Sequence, residues 1–226
     1  GTAIVNAKSI VIATGSTPFK PTELAAAGDR LVVNDDIFAW TDLPKSVLVL
    51  GAGVIGLELG QALSRLGVDT TLIGCHVHMA MLSDPVVLDT AIGIFRQEMH
   101  YISDGAITAV ARSEAGVVVT YTDNDKVSHT KTVDYLISTA GRRVNLPQLD
   151  LAAAHIAINK KGIPNFNSDT MQIDNSHVFL AGDVNAELQL LHEAADEGAI
   201  AGANAARIAQ SQDVQADQRR TPLSIV

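Results

Sequence analysis

Three glycines, Gly51, Gly53 and Gly56, stand at GxGxxG spacing inside the stretch VLVLGAGVIGLELG. A short apolar run, Val47 to Leu50, precedes them. Apolar residues at helical spacing follow, at Ile55, Leu59, Ala62, Leu63 and Leu66. In that setting the first glycine allows a tight turn, the second lets backbone approach a pyrophosphate, and the third lets the helix pack against the strand. The pyrophosphate would rest on the unsatisfied N–H groups and positive dipole end of the helix. Glycines at this spacing also arise by chance in tight βα turns. The strand–glycine–helix–strand order around them is what supports dinucleotide binding.

Other residues could join a site, each with a plainer alternative. Asp183 ends the apolar run VFLAG, at a strand end where open α/β sheets place ligands; taken alone it is a turn or capping carboxylate. Arg142 and Arg143 follow TAG and could meet a phosphate, though such pairs are more often solvated loop charges. Glu58 lies two residues beyond Gly56, where an acid also simply complements the helix dipole. His192, in LLHEAADEG, reads as structural at a helix start. His76 and His78 flank Val77 beside Cys75, the only cysteine. With no further converging ligand they make no zinc site, and no metal is expected. No residue is assigned a catalytic role, because one cysteine cannot supply a dithiol pair.

These residues need elements to hold them. The segment AKSIVIATGSTPFKP contains a buried strand, Ser9 to Ala13, then a turn at Gly15 and Pro18. Residues 20–45 are mixed, with one or two helical turns at PTELAAAGD. The wholly apolar Val47–Leu50 suits a strand covered on both faces. The helix from Val54 ends at Leu66, stopped by Gly67, and Thr70–Ile73 is a second strand. Asp84–Pro85 is an N-cap followed by proline at the first helical position, opening a helix to about Met99. AITAVARS, GVVVTYTD and KVSHTKT then alternate between turn residues, as an antiparallel meander does.

Val133–Ser138 and HVFLAGD return to buried strands, and an alanine-rich helix runs from Leu190 to about Ala209. SQDVQADQRR reads as a loose polar tail, and TPLSIV as the start of a strand. SIVIATG and HVFLAGD lie far apart in sequence, yet both are too apolar to stand uncovered, so they are expected to pack together.

Composition excludes several classes. A formal charge of −9 over 226 residues argues against nucleic acid or an acidic membrane surface as partner. No apolar run reaches the roughly 18 residues of a membrane span, and no signal-peptide pattern is present. A single cysteine fits a reducing compartment, so a cytoplasmic location is expected.

Together these pieces resemble the pyridine nucleotide–disulfide oxidoreductases, and within them the dihydrolipoamide dehydrogenase branch. VIATGS resembles the family's ATG segment, GAGVIGLELG its nicotinamide-dinucleotide fingerprint, and STAGRRVN its second ATG-type segment with the GRxPN signature, Val144 standing where proline is usual. VFLAGDVN resembles the late flavin motif, LLHEAADEG the helix after it, and RRTPLSIV the approach to a third, dimer-forming domain.

The resemblance implies an α/β architecture: a Rossmann-like dinucleotide-binding domain, built of a parallel sheet plus an antiparallel β-meander, beside an incomplete second FAD-type α/β domain. It implies a parent enzyme, usually a homodimer, that passes hydride between NAD(H) and FAD and electrons to or from a disulfide. Carried onto this sequence, it places nicotinamide-dinucleotide contacts at Gly51, Gly53, Val54, Ile55, Gly56, Glu58, Gly74, Ala140 and Gly141, and flavin contacts at Thr14, Gly15 and Asp183. The expected boundaries are 1–42 for the end of a first flavin segment, 43–141 for the nicotinamide domain, 142–212 for a second flavin segment and 213–226 for a tail into a dimerisation domain. The family's N-terminal flavin fingerprint, cysteine pair and C-terminal His–Glu pair are not found in this sequence. The chain therefore reads as a central fragment, expected to be inactive and to hold no FAD by itself. Another disulfide reductase of the same build (glutathione, mercuric or coenzyme A disulfide reductase), or a free-standing dinucleotide module without redox chemistry, would share these motifs.

One position departs from the pattern. An acid about 20 residues past the glycines normally accepts hydrogen bonds from the adenosine ribose and selects NAD; Gly74 stands there. NADP-selective members offer arginines just beyond, and none occurs before Arg96. NAD is the expected cofactor, with NADP also admitted and His76 or His78 a possible contact for a 2′-phosphate. The plainer alternative is that Gly74 only relieves crowding at a strand end.

Overall fold

The computed structural model describes residues 3–75, 79–217 and 219–220. In chain order the strands are β1 (Ile10–Ile12), β2 (Ser16–Pro18), β3 (Leu31–Val32), β4 (Ser46–Leu50), β5 (Asp69–Ile73), β6 (His100–Ile102), β7 (Ala106–Ser113), β8 (Gly116–Thr122), β9 (Ser128–Val133), β10 (Tyr135–Ser138), β11 (Arg142–Val144) and β12 (Val178–Leu180). The α-helices are α1 (Asn34–Ile37), α2 (Val54–Arg65), α3 (Pro85–Glu98) and α4 (Leu191–Ala209). The chain forms two compact units. One combines the residues up to Thr17 with those from Arg143 onward, and the other is Pro18–Arg142.

The 18–142 unit is a parallel five-stranded sheet in the order β3-β10-β4-β5-β6. β4 is apolar on both faces because both are covered. Val47 and Val49 join Leu57, Leu63 and Ile92 of α2 and α3 on one side. Leu48 joins Val117, Val119, Tyr121 and Val133 of the meander on the other. That meander is the antiparallel sheet β7-β8-β9, whose β8 alternates its valines inward. Asp84 caps α3 by accepting from the N–H groups of Val86 (2.9 Å) and Val87 (3.1 Å), with Pro85 at the first turn.

This unit reaches back to Pro18, where the sequence reading began it at residue 43. The reason is β3, which pairs in parallel with β10, and the 3₁₀ segment Thr22–Arg30, which buries Leu24 and Ala27 under the meander. β3 and β6, the two edge strands, were not expected from the sequence.

The other unit is built on β1 and β12, which pair in parallel with Ile10 opposite Val178. This is the joining of SIVIATG to HVFLAGD that their composition requires. Phe179 packs with Ile200, Ala201 and Ala205 of α4 on one face, and Leu180 with Ile12, Ile163 and Ile173 on the other. The tail is not loose where it is described. Asn204 exchanges two hydrogen bonds with the backbone of Gln215, and Arg219 reaches Glu197 at 2.9 Å. TPLSIV falls outside the described residues. Among those described, no helix is long and apolar enough to cross a membrane.

Candidate functional site

α2 starts directly behind Gly53, its N-cap, with no side-chain cap and no acid in its first turn. Its first N–H groups and positive end are therefore not neutralised by the helix's own side chains. Gly51 takes φ +114°, and a Cβ there would stand 2.6 Å from the Thr139 carbonyl oxygen. A Cβ on Gly56 would stand 1.9 Å from the Gly51 oxygen. A Cβ on Gly53, by contrast, would meet nothing within 4 Å. Two of the three glycines are thus demanded by packing. The middle one leaves open space over a helix N-terminus, as the approach of a pyrophosphate to backbone requires.

Thr139 was not singled out from the sequence, and it ties the site together. Its hydroxyl donates to the carbonyls of Leu50 (2.9 Å) and Gly51 (3.0 Å). Ala140 and Gly141 follow it directly in the chain, and the Gly141 carbonyl accepts from the Phe19 N–H (2.9 Å). Val54 and Ile55 are half-buried in the first turn of α2, and Glu58 is exposed one turn further on.

Gly74 is buried at the end of β5, donating to the Ile102 carbonyl (2.8 Å) and accepting from the Gly105 N–H (2.9 Å). A Cβ on it would lie 3.0 Å from the Ala52 Cβ, 3.1 Å from the Ser103 oxygen and 3.3 Å from the Tyr101 hydroxyl. Crowding at this strand end is real, as the plainer reading holds. Tyr101 is 3% exposed, and its hydroxyl has no hydrogen-bond partner among the described residues. Burial pushes its phenol up to about 12. His76 and His78 lie outside the described residues; Cys75 is exposed. Among the described residues no group of three His, Cys, Asp or Glu side chains could hold a metal ion.

In the other unit the structure brings Thr14, Gly15 and Asp183 together. The Thr14 hydroxyl donates to the Asn145 carbonyl (2.8 Å), and the Asn145 N–H donates to the Gly15 oxygen (3.0 Å). Ser16 donates to Asp183 Oδ2 (2.8 Å). Behind Asp183 stands Glu197, 1% exposed, which sequence reasoning passed over. Its Oε2 accepts from the Gly182 N–H and from Asn185, both at 2.7 Å. Burial raises the Glu197 pKa, against the pull of these donors and of Arg219. Arg142 and Arg143 lie in β11. His192 is in the first turn of α4, 3.8 Å from Glu193.

The open space at Gly53 and the uncapped helix behind it fit a dinucleotide's pyrophosphate. Gly15, at φ +68° with nothing within 4 Å of a Cβ, and the Asp183 carboxylate fit one edge of a second nucleotide cofactor.

A family model described as pyridine nucleotide-disulphide oxidoreductase matches residues 1–198. The chain is 32% identical over 196 residues to a dihydrolipoyl dehydrogenase of Cupriavidus necator, covering 86% of this chain and 41% of that one. It is 30% identical over 212 residues to a soluble pyridine nucleotide transhydrogenase of a Marinomonas species, covering 90% and 43%. Among solved structures, LpdA from Mycobacterium tuberculosis superposes with a TM-score of 0.75 at 23% identity, covering 93% of this chain and 44% of its own. That likeness is one of fold, a mixed α/β architecture of Rossmann type. The chain spans less than half the length of each of these relatives.

Proposed function

Since the chain belongs to the pyridine nucleotide-disulphide oxidoreductase family, we propose that it is the nicotinamide- and flavin-binding central portion of an enzyme resembling dihydrolipoamide dehydrogenase. Residues 18–142 hold NAD(H). The segments around Thr14, Gly15 and Asp183 contribute one side of an FAD site. The parent enzyme, a homodimer, exchanges hydride between NAD(H) and FAD and electrons with a disulfide. The single observation that carries this reading is the open Gly53 position over the uncapped N-terminus of α2.

The two cofactors supply the hydride and electron chemistry. This chain's residues bind and orient. The N–H groups at the start of α2 receive the pyrophosphate, and Thr139 holds the glycine turn rigid. Ala140 and Gly141 border the nicotinamide and Glu58 lies toward that end. Asp183 accepts hydrogen bonds from the flavin's ribityl and pyrophosphate part.

A lone charge-assisted contact is worth about 1.5–3 kcal/mol, against about 8 kcal/mol for micromolar affinity. The chain on its own is therefore expected to hold no stoichiometric FAD and to show no disulfide reductase activity; a flavin absorbance band in the purified protein would overturn this. NADH titration followed by fluorescence tests the nicotinamide site. The expected result is saturable binding that Gly53→Ala weakens at least tenfold; unchanged affinity would remove the basis of the assignment.

The missing acid at Gly74 favours one variant of this reading. A site without that selector accepts both NAD and NADP, within about tenfold or about 1.4 kcal/mol of each other. A preference above a hundredfold for either cofactor, unchanged with pH, would exclude it.

A further inference from the structure

The tail carries a side chain that turns back into the fold. Arg219 is 17% exposed and its Nη1 donates to Glu197 Oε1 (2.9 Å). Its Nε and Nη2 donate to the Ser168 carbonyl (3.2 and 3.0 Å), and Nη2 also reaches Glu187 Oε2 (3.4 Å). The chain leading to it is fixed as well. The Gln215 N–H donates to Asn204 Oδ1 (2.9 Å) and the Asp217 N–H to the Asp169 carbonyl (3.1 Å).

These contacts close a ring around one turn. Glu197 Oε2 accepts from the Gly182 N–H and from Asn185 Nδ2, both at 2.7 Å. Asn185, 3% exposed, accepts from the Glu187 N–H through Oδ1 (2.9 Å). Glu187 then returns to Arg219. The ring Arg219, Glu197, Asn185, Glu187 thus spans the turn from Gly182 to Glu187, which carries Asp183.

Charge explains why an arginine closes it. A buried carboxylate is tolerated when it is both hydrogen-bonded and paired. Gly182 and Asn185 give Glu197 neutral donors; Arg219 gives it the opposite charge. Glu193, one helical turn earlier on the same side of α4, is also 1% exposed and accepts no hydrogen bond among the described residues. Its Oε2 stands 3.7 Å from the same Nη1, and its Oε1 stands 3.8 Å from His192. Removing the guanidinium would leave Glu197 beside Glu187 and Glu193 without a counter-charge, and the turn hangs on Glu197.

We propose that Arg219 is a positioning residue for Asp183. Acting through Glu197, it holds the Gly182–Glu187 turn in the shape that presents the Asp183 carboxylate to Ser16 (2.8 Å). The inference rests on the proposed flavin edge at Thr14, Gly15 and Asp183, and adds the tail residue that fixes it.

Amide exchange read residue by residue on the whole chain tests the ring. Arg219→Ala should speed exchange at Gly182, Asn185 and Glu187 at least tenfold, and leave Ala201 and Ala205, further along α4, within threefold. Arg220→Ala removes the neighbouring ion pair with Asp196 and should change none of these amides more than threefold. If it loosens the turn as much, the tail acts by docking alone and the assignment fails. Glu197→Gln keeps an oxygen for the two donors but carries no charge. In that background Arg219→Ala should matter less than threefold; a tenfold effect there would show that Arg219 does not act through Glu197. This comparison stands even where Arg219→Ala alone does not fold, because charge and counter-charge are removed together. The Glu197 carboxyl carbon, followed by NMR, should titrate at higher pH in Arg219→Ala, since Arg219 opposes the upward push of burial. Arg219→Lys should bring it back toward the wild type, and an unmoved titration overturns the pairing. FAD added at millimolar concentration should shift the amide signals of Thr14, Gly15 and Asp183, and shift them less in Arg219→Ala. Equal shifts in both overturn the positioning role. No shift in the wild type overturns the flavin edge, and leaves the ring to be judged by exchange.

Discussion

The Gly51 carbonyl oxygen lies where a side chain on Gly56 would begin: a Cβ on Gly56 would be 1.9 Å from it, and 2.6 Å from the Thr139 hydroxyl. Backbone cannot yield there without opening the turn. Gly56→Ala is therefore expected to destabilise the 18–142 unit by about 3 kcal/mol, the upper end for overpacking. Gly53→Ala has open space around it and should cost no more than about 1 kcal/mol, as a poorer N-cap, while still weakening NADH binding. Urea denaturation of the two variants checks the pair; equal destabilisation would mean that the two glycines have the same task.

The Tyr101 phenol, pushed up to about 12 by burial, ties stability to alkaline pH. Its folded value exceeds the ordinary 10.0, so its share of the stability is intact below pH 10 and is lost as the pH rises toward 12. The stability of the wild type minus that of Tyr101→Phe should fall across this window. Below it, the variant should be the more stable by about 1–3 kcal/mol, since the hydroxyl is unpaired among the described residues. A difference that stays flat from pH 10 to 12 would show that the hydroxyl is not protected by burial.

Glu197 should act with the same sign at acidic pH. Burial raises its pKa above 4.5, so its protonated form is favoured in the fold. The stability it contributes is present below the unfolded value and lost as the pH rises through the folded one. The difference between wild type and Glu197→Gln should therefore shrink as the pH goes from 4 to 7. A difference that grows with pH would place Arg219 and the donors from Gly182 and Asn185 ahead of burial.

Phe179 and Leu48 are fully buried, each in the core of a different unit. Phe179→Ala is expected to cost about 3–5 kcal/mol and Leu48→Ala about 2–5 kcal/mol. Amide hydrogen exchange should show lost protection in α4 for the first and in β5 and β8 for the second. The reverse pattern would contradict the division of the chain.

What the sequence revealed depended on the length of each signal. Val47–Leu50, the Asp84–Pro85 cap and the three alternating runs of the meander each extend over enough residues, or carry a specific enough chemistry, to be read directly. β3 is two residues and β6 three, the latter opening on a histidine. Such pieces become strands only because a neighbour offers a free edge. Missing β6 meant missing Tyr101. Thr139 looks like linker in STAG, and its hydrogen bonds to Leu50 and Gly51 exist only because β10 lies beside β4. The tail looked loose by composition; Asn204, Glu197 and Asp196, which fix it, come from another part of the chain. The glycine fingerprint was legible, but which of its glycines packs and which stays open was not.

The unit holding β1 and β12 is discontinuous in the chain, and this sets an order of synthesis. Lys8 and the Ala209 carbonyl it reaches are 201 residues apart. At about 5–20 residues per second, roughly 10–40 s separate their appearance from the ribosome. The 18–142 unit has all its residues before β12 exists and can fold first. β1 must wait for β12, and Ile10 and Val11, 53% and 38% exposed in this structure, wait with it. Between the synthesis of β1 and that of β12 the nascent chain thus carries a short apolar strand without the partner it has in this fold, which makes this segment a natural place for a chaperone to bind.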